Sequence, residues 1–157
     1  MILESRLLEG RSGHDAGRQL LAELYLRETG NPLPQIRLTS AGKPYFPDCP
    51  WHFSISHTRC RVFVALSRRN VGLDAEELDR DINLKLADKI LSPGEQTRFA
   101  AAQDPKRFLL TLWVLKEASV KLSGTGLRGY PNHTDFSPDD PRVREMDGCL
   151  VAVLTED

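Results

Sequence analysis

The longest apolar pattern in the chain runs from Asp104 to Gly126, DPKRFLLTLWVLKEASVKLSGTG. Phe108, Leu112, Leu115 and Leu122 recur at helical spacing, and Leu109, Trp113 and Val120 broaden the stripe. This predicts a helix with one buried face, begun at Asp104-Pro105 and stopped by Gly124 and Gly126. Ser12 to Gly30 predicts a second helix, with Ser12 as cap and Asp15 where a capping box usually carries Glu. Leu20, Leu21, Leu24 and Leu26 form its stripe, and Gly30 suits its exit. Asn83 to Leu91 and Ser92 to Ala102 read as two further helical segments. Ser92-Pro93-Gly94-Glu95 is a strong helix start, which gives Glu95 a structural explanation as a cap.

Between the helices the rhythm changes to period two. Gln35 to Thr39, Phe53 to His57, Arg61 to Ser67, Val71 to Glu76 and Cys149 to Leu154 read as strands, with residues 134–136 as a further short one. Thr58-Arg59-Cys60 makes the second and third of these a hairpin. Ser40-Ala41-Gly42, Arg68-Arg69-Asn70 and Ser137 to Arg142 read as turns, and Leu127 to Pro131 as loop. The order helix, strands, helices, strands predicts an α+β domain, helices packed on antiparallel sheet.

Composition narrows the class. A chain of 157 residues, 40% hydrophobic and 27% charged, has the material of one ordinary globular domain. A net charge of −1 argues against a general nucleic-acid binder. Cys49, Cys60 and Cys149 are scattered and odd in number, so they support neither a disulfide framework nor a zinc site. Glu4, Arg6 and Glu9 interrupt the apolar residues of the opening MILESRLLEG, which is not the pattern of a signal peptide. No apolar run has the length of a membrane span, so the expected address is the cytoplasm, with no membrane partner.

The chemistry concentrates in two places. On a strand Asp74 and Glu76 point to one face, roughly 6–7 Å apart. Two carboxylates so placed can share a hard cation such as Mg²⁺, which takes oxygen ligands and keeps waters or phosphate oxygens. Glu117, on the edge of the long helix, is the candidate third ligand. Lys121 lies four residues beyond it on the same face, and Lys116 flanks the pair. On spacing alone Glu117 and Lys121 are a surface ion pair worth a few tenths of a kcal/mol, about 0.3–0.5.

Val71-Gly72-Leu73-Asp74-Ala75-Glu76, followed some forty residues later by Trp113-Val114-Leu115-Lys116-Glu117-Ala118-Ser119-Val120-Lys121, resembles the two-part signature of the 4′-phosphopantetheinyl transferases. Gly42-Lys43-Pro44-Tyr45-Phe46 and Phe53-Ser54-Ile55-Ser56-His57-Thr58 resemble two further motifs of that family, in its order. Together the motifs span residues 42 to 121.

The resemblance implies a single domain of two similar α/β halves, about 1–67 and 68–157, with the active site in the cleft between them. It implies transfer of 4′-phosphopantetheine from coenzyme A to a serine of an apo acyl or peptidyl carrier protein, with release of 3′,5′-ADP. Asp74, Glu76 and Glu117 would hold Mg²⁺, and Glu117, Lys121 and His57 would be catalytic. Arg18, Lys43, Pro44, Ser56, His57, Lys116 and Lys121 would bind coenzyme A. A monomer is expected, since the Gly42 and Phe53 motifs favour the single-chain branch over the trimeric holo-carrier synthases. Two other classes stand beside this reading: a catalytically silent coenzyme A or carrier-binding module, and a metal-dependent phosphodiester hydrolase. Arg59, Arg61, Arg68 and Arg69, with Arg98, Lys106 and Arg107, form a candidate basic rim for an acidic carrier.

Overall fold

The Ser12 hydroxyl accepts from the Asp15 N–H and begins helix α1, Gly13–Thr29, which closes at left-handed Gly30. The computed structural model describes residues 1–126 and 130–157. Ahead of α1 lies a strand the sequence pattern did not announce, β1 at Ile2–Leu7. After α1 come the two-residue strands β2 (Arg37–Leu38) and β3 (Pro44–Tyr45). Then follow β4 (His52–His57), β5 (Arg61–Ser67) and β6 (Val71–Glu77). A 3₁₀ turn at Leu84–Leu86 leads into the single-turn α2 (Ala87–Ile90) and then α3 (Pro93–Ala100). Helix α4, Pro105–Ser123, has Asp104 as its N-cap and Gly124 as its left-handed C-cap. Strands β7 (Val143–Met146) and β8 (Cys149–Thr155) complete the chain.

The expected α+β class is the observed one. One antiparallel sheet has the order β1-β5-β4, another the order β6-β8-β7, and β2 pairs with β3. Strand alternation sorts the side chains into three apolar layers. Val62, Val64 and Leu66 of β5 face α1, where they meet Leu20, Leu21 and Leu24. Phe63 and Ala65, on the other face of β5, meet Leu73, Ala75 and Val151 between the two main sheets. Leu150, Ala152 and Leu154 of β8 pack against Leu109, Leu112 and Leu115 of α4.

Gly72 brings α4 down onto β6. A side chain there would run into the Ala118 carbonyl and the Leu122 backbone, so only glycine permits this approach. The long-helix expectation therefore holds, and so does the hairpin β4–β5 in register Ser56↔Phe63. Three expectations change. Leu26 is 55% exposed and belongs to no stripe. Residues 134–136 form no strand, because side-chain bonds rather than a ladder hold them. The loop expected over Leu127 to Pro131 falls mainly on residues 127–129, outside the described residues.

Candidate active site

Asp74 and Glu76 alternate with Leu73 and Ala75, so when the latter enter the inter-sheet layer the carboxylates face α4. Asp74 is 7% exposed. Its Oδ1 accepts from Lys121 Nζ at 3.0 Å and from the Ser56 hydroxyl at 3.2 Å. Its Oδ2 is buried and, among the described residues, has no donor. Ser56 Oγ also accepts the Ala75 N–H at 3.2 Å, while Ser54 Oγ accepts the Leu73 N–H at 3.1 Å. The alternating serines of β4 thus lace that strand to β6.

Glu76 Oε1 accepts from the Trp113 indole N–H at 3.1 Å and pairs with Arg80. The Arg80 guanidinium lies 5.4 Å from the Trp113 ring centre. Glu117 has no hydrogen bond or ion pair among the described residues. Burial pushes the Asp74 carboxyl up, against the pull of Lys121. Burial pushes Glu76 and Glu117 up as well, and the Asp74 charge adds to both. The three carboxylates share one electrostatic neighbourhood. They are not gathered as three ligands: among the described residues no three His, Cys, Asp or Glu side chains stand ready to hold a metal. Asp74 turns instead to Lys121 and Ser56, and Glu76 to Arg80 and Trp113.

A cleft of ≈ 230 Å³ opens beside Lys121, lined by Ala41 to Pro44, Phe53 to Ile55, Val120, Gly124 and Gly126. Lys43 and Pro44 are in its wall. The Lys43 ammonium donates to Asn70 Oδ1 at 2.6 Å and to the Leu122 carbonyl at 2.9 Å, at the end of α4. Burial lowers its proton affinity. His57 lies against the backbone of Gly13 at the start of α1. Arg18 follows on the same helix, half-buried and unpaired among the described residues. Neither His57 nor Arg18 lines the cleft.

Two residues expected to bind coenzyme A are engaged within the chain and do not line the cleft. Lys116 is fully buried and pairs with Glu95 at 2.7 Å. Ser56 turns inward and braces Asp74 and Ala75. The cap reading of Glu95 holds: its side chain accepts the Ser92 N–H at 2.8 Å, and the Ser92 hydroxyl accepts the Glu95 N–H. Arg80 went unnoticed in the sequence. The indole of Trp113 was a usable signal, since a half-buried N–H on a stripe edge requires an acceptor.

The sequence profile of the 4′-phosphopantetheinyl transferase superfamily matches residues 70–148, the stretch that carries all three carboxylates. The chain belongs to that superfamily. It is 32% identical over 123 residues to the 4′-phosphopantetheinyl transferase psf-1 of Bacillus pumilus, covering 72% of this chain and 52% of that protein. It is 34% identical over 114 residues to the 4′-phosphopantetheinyl transferase AcpT of Escherichia coli (strain K12), covering 69% and 56%. A 42-residue stretch is 52% identical to a holo-[acyl-carrier-protein] synthase of Thiobacillus denitrificans, covering 27% and 32%. The chain spans about half the length of the first two relatives. Among the described residues, no helix is long and apolar enough to cross a membrane.

Proposed function

We propose that this chain transfers 4′-phosphopantetheine from coenzyme A to a serine hydroxyl of an apo acyl or peptidyl carrier protein and releases 3′,5′-ADP. The observation that carries the reading is the Lys121 bridge to buried Asp74 at the edge of the Lys43–Pro44 cleft. The relatives' names support the same chemistry. Residues 1–157 are read as one transferase domain with halves of about 1–67 and 68–157, acting as a monomer in the cytoplasm.

The three carboxylates are not arranged as ligands in this structure, and it is their chemistry, all oxygen donors with one buried oxygen unpartnered among the described residues, that suits a hard cation. Asp74 Oδ2 is a buried acceptor without a donor among the described residues, and the neighbouring carboxylates repel one another. Asp74, Glu76 and Glu117 would hold Mg²⁺, which when bound supplies charge neutralisation at a pyrophosphate. The chain's own residues do the rest. Lys121, a third exposed and anchored on Asp74, presents a cation to the leaving phosphate. His57 and Arg18 lie along β4 and α1, where they extend a phosphate-binding rim away from the cleft; Lys43 and Pro44 shape the wall. The carrier serine oxygen forms a new bond to the β-phosphorus, and the bond from that phosphorus to the bridging oxygen breaks. Glu117 accepts the serine proton, directly or through water, its burial and its anionic neighbours favouring proton uptake.

Incubation with coenzyme A, Mg²⁺ and apo carriers, followed by intact-mass spectrometry, tests this. The expected gain is one phosphopantetheine mass on the carrier. Coenzyme A binding without that gain on acyl and peptidyl carriers alike would favour the silent binding module.

A further inference from the structure

The cleft forms where three pieces of chain meet: the turn that leads into β3, the middle of β4 and the end of α4. The turn is closed on itself. The Thr39 N–H donates to the Lys43 carbonyl at 2.8 Å, the Gly42 N–H to the Thr39 carbonyl at 2.9 Å, and the Lys43 N–H to Thr39 Oγ1 at 3.0 Å. It therefore moves as one piece. Residues 39–42 are exposed, and the β2–β3 ladder is two residue pairs long. A pair of strands with so little burial is marginally stable alone, so the place of this turn against α4 depends on a tether.

Lys43 and Asn70 supply one. The Lys43 stem lies over Gly124, where an added Cβ would come within 3.1 Å of the lysine Cδ. The ammonium then reaches Asn70 Oδ1 at 2.6 Å and the Leu122 carbonyl at 2.9 Å. The Asn70 amide nitrogen donates to the same Leu122 carbonyl at 2.9 Å and to Glu156 Oε1 at 2.7 Å. Leu122 is in the last turn of α4, where carbonyls lack partners within the helix. Two donors fill both lone pairs of its oxygen, and a cation suits that negative end. Asn70 is itself pinned, because its backbone carbonyl accepts the Glu156 N–H at 3.1 Å beside the end of β8. Its side chain thus joins the turn, the helix end and the β6–β8 edge, although Asn70 does not line the cleft.

We propose that Asn70 is a positioning residue for coenzyme A binding: its amide locks the Lys43 ammonium onto the Leu122 carbonyl and so holds the 39–43 turn against the end of α4, fixing the width of the cleft. This rests on the functional reading above, which names coenzyme A as the occupant. Asn70 touches no reacting atom, so its effect falls on binding and not on the chemical step.

Asn70→Ala in the full chain tests it, with circular dichroism to verify the fold. The dissociation constant for coenzyme A should rise at least about fivefold, while kcat on a carrier at saturating coenzyme A stays within about twofold of wild type. Amide hydrogen exchange within residues 39–43 should accelerate, with the centre of α4 still protected. Asn70→Asp combined with Glu156→Gln restores an acceptor for Lys43 without setting two carboxylates side by side, and should recover most of the affinity. Asn70→Ser, too short to span both partners, takes the place of Asn70→Ala in the same assays if the latter does not fold. A folded truncation with wild-type affinity overturns the inference, as does unchanged exchange in the turn or a double variant that binds as weakly as Asn70→Ala. Each of these leaves wild-type transfer, and the functional reading, standing. A wild-type protein that binds no coenzyme A overturns that reading and the ligand role of Asn70 with it, while exchange in the turn still decides whether the tether exists.

Discussion

Asp74 carries a contradiction that a folded chain rarely tolerates: one carboxylate oxygen is bonded twice and the other is buried with no donor among the described residues. Glu117 adds a second carboxylate without a described partner, raised by burial and by Asp74. A site built this way exchanges stability for the capacity to take up positive charge. Glu117→Gln removes that repulsion. It is expected to raise the melting temperature in chelator by on the order of 2 °C and to abolish transfer; a lowered melting temperature would mean Glu117 is a stabilising charge. Lys121→Ala removes one of the two lysines that line the cleft. At least a tenfold loss in coenzyme A affinity or turnover is expected, about 1.4 kcal/mol, and calorimetry with initial rates would detect it.

Among the elements, α4 and β6 decide whether a site exists at all. Gly72→Ala would push the helix away from the strand at Ala118 and Leu122, at about 1–3 kcal/mol of overpacking. Denaturant unfolding should register that loss, and Lys121 should fall out of reach of Asp74. Strand β8 is the middle strand of its sheet, and Cys149 reports on it. Burial pushes that thiol up to about 11, so at pH 8 it stays protonated and inert while exposed Cys60 reacts. Disulfide reagents should therefore label Cys149 only when β8 opens.

These elements also separate what the sequence made legible from what it hid. Helix caps at Ser12, Ser92, Asp104 and Gly124 could be read directly, because capping is a local bond between neighbouring residues. The two-residue alternation likewise placed Asp74 and Glu76 on one face of their strand. The β7–β8 hairpin was missed although Asp147-Gly148, both at positive φ, is the dipeptide that favours its turn. Strand β1 was hidden by charges, since Glu4 and Arg6 pair outward with Arg27 and Glu23 of α1. The Lys116–Glu95 pair joins residues far apart in the chain, which no local pattern encodes.

At the scale of the whole molecule, the serines of β4, the Lys43–Asn70–Leu122 bonds and the inter-sheet layer tie the two sheets together. The basic rim is reduced by its own contacts: Arg59 pairs with Glu77, Arg61 with Asp147, and Arg98 donates to the Phe136 carbonyl. Lys106 and Arg107, at the start of α4, are the better docking candidates, the Arg107 side chain being paired among the described residues with exposed Glu145 alone. Reversing both to Glu should raise the KM for an acidic carrier and leave coenzyme A affinity unchanged, with wild-type turnover falling as salt rises. A carrier KM indifferent to both would mean an apolar docking surface. The central claim is that the carboxylates around Asp74 support phosphopantetheine transfer. Its most direct measurement is the rate of carrier mass gain for Asp74→Ala against wild type, with coenzyme A, Mg²⁺ and circular dichroism to verify the fold. The account predicts a folded variant with no detectable gain; a folded variant that modifies carrier at near wild-type rate would contradict it.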